Sequence, residues 1–480
     1  MENQNTGIQI QKKSFFSSFF ILFALMMAAG VLGNILPSGR YERILVDGKE
    51  SIVDGTFKFI EAVKLPIYRW FTAPIEVLWS VDAATVIVIL LFVLLIGASF
   101  SVLQKSGILN AMLEGVIRKY AGDKYRLLAV ICLCFMLFGS LFGLFEELVA
   151  LIPMALVLSY GLGWDALVGL GMSTLASGFG FAAAIFNPFT VGIAQKLAGL
   201  PAFSGVLFRI IVFIVIYLCL IVFLTRYAKK IEKHPELSLV RNYQKNPILS
   251  STVIQPQISN PRILKGAKIF LGFMGAALAF IILSFFIPGG SDYVMPAIAV
   301  LLLTGTLVSA NYSKASKHIS KDFFHGLLDI APAGILILMA MSVKLIIANA
   351  QVLDTVIYYA FIQIKHLNPV TAGLALYAIV LVLEVFIASG SAKAFLVLPI
   401  IIPLTGMIGV TRQSAVQAYL FGDGFSNLLY PTNAVLMISL GLANIGYPTW
   451  LKWTWKLQAV VFGVSVLFLI GAILMKYGPF

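Results

Sequence analysis

The sequence predicts an all-α polytopic membrane protein, an inverted repeat with about nine transmembrane helices, two re-entrant hairpins and two discontinuous helices. Three observations predict it. Hydrophobic residues make up 60% of the 480-residue chain and charged residues only 11%, with a mean hydropathy of +0.96, too apolar for a soluble core. Apolar runs long enough to cross a bilayer recur from end to end, separated by short polar loops. Some of these runs are broken midway by glycine, proline and polar residues, and the breaks recur in register in the two halves.

The first two breaks lie within 138–209. Gly139-Ser140-Leu141-Phe142-Gly143-Leu144-Phe145-Glu146-Glu147 is a small-residue interruption that carries two carboxylates between apolar arms. Asn187-Pro188-Phe189-Thr190 interrupts a helix otherwise expected over 164–200. Pro188 has no amide hydrogen and clashes with the preceding turn, so carbonyls near Ala183 and Ala184 lose their helical partners where water cannot replace them. Such a break persists only beside a polar cavity. An acidic break next to an amide-bearing one therefore predicts a ligand site at mid-depth.

Composition excludes several classes. The net charge of +13 sits in alternate loops and forms no aromatic-interleaved patch, the positive-inside pattern of a membrane protein, so no nucleic-acid partner is expected. Cys132, Cys134 and Cys219 fall in apolar runs without metal or redox spacing. His234, His318, His325 and His366 are scattered over loops and make no zinc set. No nucleophile–base pair or Asp dyad lies among the spans, so the chain is not expected to be an enzyme, and no cofactor is expected beyond a sodium ion.

In chain order, Lys12 and Lys13 precede a first span over 15–36, too long for a secretory signal and without a small-residue cleavage site, which places the amino end in the cytoplasm. Residues 38–81 are expected outside, cut by Pro66 and Pro74 into short interfacial pieces. The span 82–101 returns to Lys105, Arg118, Lys119, Lys124 and Arg126. Residues 127–162 form the first hairpin, entered from the cytoplasm. Two full spans are the alternative there, which would leave Glu146 and Glu147 at the outer surface. The broken helix 164–200 crosses outward and 203–225 crosses back to Arg226, Lys229, Lys230 and Lys233, with Arg241, Lys245, Arg262 and Lys265 following. Spans over 269–287, 293–309 and 330–350 alternate around Lys314, Lys317 and Lys321. The second hairpin, 370–408, is entered from outside and turns at Ala388-Ser389-Gly390-Ser391-Ala392-Lys393. A second broken helix, 414–444, is interrupted at Leu429-Tyr430-Pro431-Thr432-Asn433. Trp450, Trp453 and Trp455 then mark the interface ahead of the last span, 455–475.

Pro399 follows Pro153, and Asn433 follows Asn187, by the same 246 positions (399 − 153 and 433 − 187). The pairs Gly143/Gly390 and Asp82/Asp329 match with one residue of slippage. The order span, hairpin, broken helix, span recurs with them, and loop charge puts the two hairpin mouths on opposite faces. The expected domains are a first repeat over 1–226, a cytoplasmic linker with an extra span over 227–290, and an inverted second repeat over 291–480. Two such halves can alternate access around a fixed site, the logic of a secondary transporter.

Charges kept at the membrane centre cost ~2.5–3.5 kcal/mol each and need a task or a partner. Glu146 and Glu147 at a hairpin tip would attract a cationic substrate and repel a dicarboxylate. Lys393, at the matching place in the second hairpin, is expected to hold a substrate carboxylate or to neutralise one of those glutamates. Asp423, in a Gly-rich stretch before the second break, is a candidate for binding an ammonium or guanidinium. Asn187 and Asn433 are candidate substrate ligands. With Ser140, Thr190, Ser389, Ser391 and Thr432 they also offer the oxygen surroundings a sodium ion prefers, helix capping being the competing role. Lys344 and Glu384 are expected to pair across the bundle. Asp165, Lys196 and Arg209 are expected to reach the interface from helix ends.

The segments Gly143-Leu-Phe-Glu146-Glu147-Leu-Val-Ala-Leu-Ile-Pro153, Phe186-Asn187-Pro188-Phe189-Thr190-Val-Gly192-Ile-Ala-Gln195 and Leu200-Pro201-Ala-Phe203-Ser204-Gly205, with Arg209 close behind, closely resemble the YfcC-type branch of the anaerobic four-carbon-dicarboxylate carrier family. The likeness runs over nearly the whole chain. It implies a homodimer in a bacterial cytoplasmic membrane, with scaffold and transport regions in an elevator-type movement and a site framed by two hairpin tips and two broken helices. For substrate it implies either the dicarboxylates that name the parent family or basic amino acids, since some members of the branch exchange arginine for ornithine. The acidic excess at the breaks favours basic amino acids, with a carboxylate carrier coupled to sodium or protons as the alternative.

Overall fold

At membrane depth a backbone amide or carbonyl has no partner but another part of the chain, and the fold is accordingly almost all helix. The computed structural model describes residues 12–46, 49–81, 83–109, 111, 122–201, 203–240, 260–284, 294–314 and 318–478. Asp82, Arg118, Lys119, Arg241, Lys245 and Lys317, used in the loop-charge and repeat arguments, and residues 241–259 of the linker lie outside the described residues.

Among the described residues nine helices are long and apolar enough to cross a membrane: Ser18–Ile35, Val86–Lys105, Lys124–Phe142, Ala166–Leu197, Val206–Lys233, Pro296–Ser313, Ile319–Asn349, Gly390–Ile408 and Tyr447–Leu474. Two of them are hairpin arms. The helix Pro261–Ser284 and the second broken helix come in addition.

In the first hairpin the leading arm, Lys124–Leu137, widens into the turn Phe138–Phe142 and stops at Gly143; the trailing arm starts with the tight turn Glu147–Leu151 and continues as Ile152–Gly161. The second hairpin has arms Pro369–Glu384 and Gly390–Ile408. The first broken helix runs through Ala176–Ala183, stops where Ala184 takes a left-handed φ of 45°, and restarts at Pro188. A proline fits there because the first residue of a helix has no use for its amide. The second broken helix has segments Arg412–Ser426 and Ala434–Ala443.

The two broken helices cross at small residues. A Cβ on Gly178 would lie 2.7 Å from the Leu428 side chain, and one on Gly424 would lie 2.3 Å from the Ala182 Cα. These are the same two positions exchanged between the halves, 246 apart in each case (424 − 178 and 428 − 182), the pattern a two-fold axis through the crossing produces. Hairpins and broken helices from both halves pack on one another, together with Val206–Lys233 and Tyr447–Leu474. A second group joins Lys12–Ile35, Ala83–Lys105, Pro261–Ser284, Val294–Ser313 and Ile319–Asn349, and meets the first where Ile319–Asn349 touches Ala434–Ala443, where Lys12–Ile35 touches Tyr447–Leu474 and where Val294–Ser313 touches Glu147–Leu151.

Several local expectations change. Residues 38–81 contain two short antiparallel ribbons, Gly39–Arg40 with Lys58–Phe59 and Arg43–Val46 with Lys49–Ile52, followed by the helix Tyr68–Glu76. Pro74 lies inside that helix and does not end it; it removes one amide, and an Arg69–Glu76 ion pair at 2.7 Å holds the outer side. The ribbons are fixed from the other half of the chain. Asp354 accepts the Tyr41 amide at 2.9 Å and pairs with Arg43 at 3.0 Å, and the Ser38 hydroxyl donates to the Ala350 carbonyl at 2.9 Å. His325 is in the helix Ile319–Asn349, not in a loop.

Asp165 does not reach the interface. It is fully buried, caps the helix Ala166–Leu170 through the Val168 amide at 3.1 Å, and accepts the Tyr227 and Ser238 hydroxyls at 2.7 Å each. Three donors supply what water would have given. Trp450 and Trp453 are likewise buried, and only Trp455 is exposed.

Candidate functional site

Both hairpin tips and both helix breaks open on one cavity of about 370 Å³. The first tip contributes Gly143, Phe145, Glu146 and Glu147. Gly143 has φ +68°, and a Cβ there would stand 2.3 Å from the Asn187 Oδ1, so only glycine lets the tip settle on the first break. Glu146 is exposed to the cavity; Glu147 is half-buried and its Oε2 accepts the Phe145 amide at 3.3 Å.

The second tip contributes Ser389, Gly390, Ser391 and Ala392, the first turn of Gly390–Ile408, which Ser389 caps through the Ala392 amide at 3.4 Å. The second break contributes Asn427, Thr432, Asn433 and the first turn of Ala434–Ala443, capped by Asn433 through the Leu436 amide at 3.2 Å. First-turn amides have no partner inside their own helix and carry the positive end of its dipole. Two such turns lining one cavity suit a carboxylate. Lys344 lines the same cavity from Ile319–Asn349.

The freed backbone groups of the first break are met by two residues. Ser140 accepts the Ile185 amide on its hydroxyl and the Phe186 amide on its carbonyl, each at 3.0 Å. Arg209 is fully buried and does not reach the interface: its guanidinium donates to the carbonyls of Ile185 and Phe203 at 3.2 Å and of Ser204 at 2.8 Å. The planar fork of five donors explains why arginine serves here. An arginine inside an apolar run, just after a break and with no acid nearby in sequence, was the available signal. At the second break Trp450 and Tyr447 take this part, donating to the carbonyls of Leu428 and Leu429 at 2.9 and 2.6 Å.

Asn187 is buried behind Gly143; its Oδ1 caps the restarted helix through the amides of Phe189 and Thr190 at 2.9 and 3.3 Å, while its Nδ2 has no partner. Thr190 is buried with an unpartnered hydroxyl, and Thr432 lines the cavity with the same property. Asn433 uses its Nδ2 on the Asn427 Oδ1 at 2.7 Å, and Asn427 in turn donates to the Asp423 carbonyl at 3.1 Å. Asn427 was not singled out from sequence.

Lys393 and Asp423 do not line the cavity. Lys393 is fully buried, donates to the Asp423 Oδ1 at 2.8 Å and is bonded to Glu384. The expected Lys344–Glu384 pair is thus replaced: the hairpin folds the end of its leading arm onto the first turn of its trailing arm, bringing Glu384 to Lys393 and leaving Lys344 on the cavity wall. Among the described residues no group of three or more His, Cys, Asp or Glu is placed to hold a metal.

Known proteins resemble the chain at the level of a family, of individual sequences and of solved structures. The sequence profile of the C4-dicarboxylate anaerobic carrier family (DcuC) matches residues 15–474. YfcC of Escherichia coli K12, named as a candidate basic amino acid antiporter, is 30% identical over 403 residues, 82% of this chain and 79% of its own. A Haemophilus influenzae protein without an assigned function is 25% identical over 513 residues, 96% of each chain. Among solved structures, Neisseria gonorrhoeae MtrF, described with a class of antimetabolite efflux pumps, aligns over 94% of this chain and 93% of its own at 15% identity and a TM-score of 0.40. The Alcanivorax borkumensis YdaH transporter aligns over 97% and 99% at 16% identity and a TM-score of 0.42.

Proposed function

The chain belongs to the C4-dicarboxylate anaerobic carrier family, and from that premise we propose that this multi-pass transporter exchanges basic amino acids of the arginine and ornithine type across a bacterial cytoplasmic membrane. One observation carries the proposal: Glu146 and Glu147 share a cavity with the first turns of Gly390–Ile408 and Ala434–Ala443. A basic amino acid has a carboxylate for the helix ends and Lys344, and two cationic groups for the glutamates. Phe145, Phe181, Phe189 and Phe386 also line the cavity and give a guanidinium or a methylene chain aromatic faces to pack on. A dicarboxylate would satisfy the helix ends and leave two carboxylates beside its own charge, in surroundings where Coulomb terms are larger than in water. The name of the Escherichia coli relative agrees with this reading.

In the proposed cycle the hairpins and broken helices move as one body against the group that contains Ile319–Asn349, in an elevator-like alternation. The protein works as a homodimer with its amino end in the cytoplasm, the side that Lys105, Lys124, Arg126, Arg226, Lys229, Lys230 and Lys233 favour. Counterflow into proteoliposomes tests the substrate. Preloaded arginine should drive uptake of labelled ornithine and not of succinate or fumarate, with or without a sodium gradient; counterflow of the dicarboxylates alone would replace this reading by a carboxylate carrier.

A further inference from the structure

Behind the second hairpin tip lie three ionisable side chains that the proposed substrate chemistry does not use. Glu384 ends the leading arm, Lys393 sits in the first turn of the trailing arm, and Asp423 is in the last turn of Arg412–Ser426. All three are buried: Glu384 and Lys393 are 0% exposed and Asp423 is 1% exposed. The Lys393 ammonium binds one oxygen of each carboxylate, the Asp423 Oδ1 at 2.8 Å and the Glu384 Oε2. The other two oxygens, the Glu384 Oε1 and the Asp423 Oδ2, have no partner.

Charge does not balance there. Two carboxylates meet one ammonium; the titratable neighbours on the packed helices include Tyr419, whose hydroxyl donates to the Gly390 carbonyl, and Tyr377, whose hydroxyl is bonded to Ser465, and across the Gly390 backbone the cavity wall brings Lys344 together with Glu146 and Glu147, which adds no net positive charge. An uncompensated charge sealed from water costs several kcal/mol, so the closed form calls for one more positive charge. A metal cation would need several oxygen ligands at once, and among the described residues no group of three or more His, Cys, Asp or Glu is placed to hold one. A proton needs only one of the two bare oxygens.

The triad is also one backbone away from the transport cavity. Gly390 lines the cavity on one side, and on the other a Cβ placed on it would be 2.7 Å from the Asp423 Oδ2. A small outward movement of the tip would therefore wet the unpartnered oxygen. We propose that the Glu384–Lys393–Asp423 triad is a proton-binding site: it takes one proton from water onto the Glu384 Oε1 or the Asp423 Oδ2 when the second hairpin closes, and returns it when the tip lifts. One O–H bond of a hydronium ion breaks and leaves water, one O–H bond forms on the carboxylate, the triad becomes neutral, and no oxidation state changes. This deepens the transporter reading by naming a coupling ion and its place.

Infrared difference spectra of purified, substrate-free protein between acid and alkaline pH test the site without reference to the substrate. Other carboxyls titrate in every background, so the readout is the wild-type difference spectrum minus that of Glu384→Gln; the remainder should hold a titrating carbonyl stretch of one protonated buried carboxylic acid, because the amide leaves one carboxylate matched to one ammonium. Gate coupling is read from a thiol probe on the tip, Ala388→Cys. Its labelling by a small polar maleimide at alkaline relative to acid pH should rise severalfold more in the wild-type background than with Glu384→Gln, the comparison cancelling the thiol's own titration. Asp423→Asn gives a second neutralised triad and should behave like Glu384→Gln. Titrating carbonyl bands that are the same in wild type and both variants, or labelling with the same pH dependence in all backgrounds, would overturn the proposal. Failure of both variants to fold would overturn it too, since neutralising one carboxylate should relieve an excess charge. Failure of the substrate reading would show instead as absent arginine counterflow, with the infrared result untouched.

Discussion

Replacing Glu147 by glutamine removes one negative charge from the cavity and keeps almost everything else. The glutamine side-chain oxygen can still accept the Phe145 amide that Glu147 holds at 3.3 Å, so the first tip has no reason to move. What changes is the contact with a cationic substrate group. A hydrogen bond to a charged group contributes about 1.5–3 kcal/mol net. Glu147 is half-buried and the cavity is open to water, so the low end applies. At about 1.4 kcal/mol per factor of ten, arginine or ornithine affinity should fall at least tenfold. The assay is counterflow of labelled arginine in proteoliposomes over a range of external concentrations. Succinate, if it enters the cavity at all, should bind equally well or better once a like charge is gone. Unchanged arginine kinetics in both Glu147→Gln and Glu146→Gln would refute the charge-selectivity argument.

Other outcomes follow from single contacts. Arg209→Met strips the guanidinium from the carbonyls of Ile185 and Phe203, each worth up to about 1–3 kcal/mol when left unmet, while Ser204 keeps the side-chain amides of Gln195 and Gln413, so the melting temperature in detergent should drop whatever the substrate; an unchanged melting curve would show that water replaces the guanidinium. Gly143→Ala forces a left-handed conformation costing roughly 1–2 kcal/mol and pushes a methyl to 2.3 Å from the Asn187 Oδ1; transport should be lost, and a fully active variant would mean the tip does not seat as described. Asn187→Ala and Asn433→Ala should impair transport far more than folding, since a lost cap costs about 0.5–2 kcal/mol. Asn187→Asp separates the roles: it keeps the capping oxygen but not the amide donor, so full activity would reduce Asn187 to a cap. Gly161→Cys, at the end of the first hairpin's trailing arm, should be labelled from the cytoplasm, and labelling only from outside would reverse the topology.

Much of this fold could be read from the chain because a membrane makes local rules strict. A run that cannot bond its own backbone betrays itself by glycine, proline or asparagine, which is why the Gly143 and Gly390 tips and the Asn187 and Asn433 breaks were visible. The register of 246 between Asn187 and Asn433 reappears as the paired contacts Gly178–Leu428 and Gly424–Ala182, positions that no periodicity had marked. The ribbons of residues 38–81 were not legible, since their short strands hold against partners about 300 or more positions away in sequence, among them Ala350, Gln351, Asp354 and Phe395.

By itself, then, the sequence determined the membrane class, the helices, the two interruptions in each half and the presence of charges that must find partners. Which partners they found was decided by tertiary structure. On sequence grounds Glu384 was expected to pair with Lys344, Lys393 to meet a substrate carboxylate or one of Glu146 and Glu147, and Arg209 and Asp165 to reach the interface. The fold put Lys393 against Glu384 and Asp423, sent Lys344 to the cavity, and used Arg209 and Asp165 to satisfy buried backbone and hydroxyl groups. The reason is range: helix and break are set by bonds over four or five residues, whereas an ion pair in a low-dielectric interior is set by which side chains come within about 3–4 Å after packing.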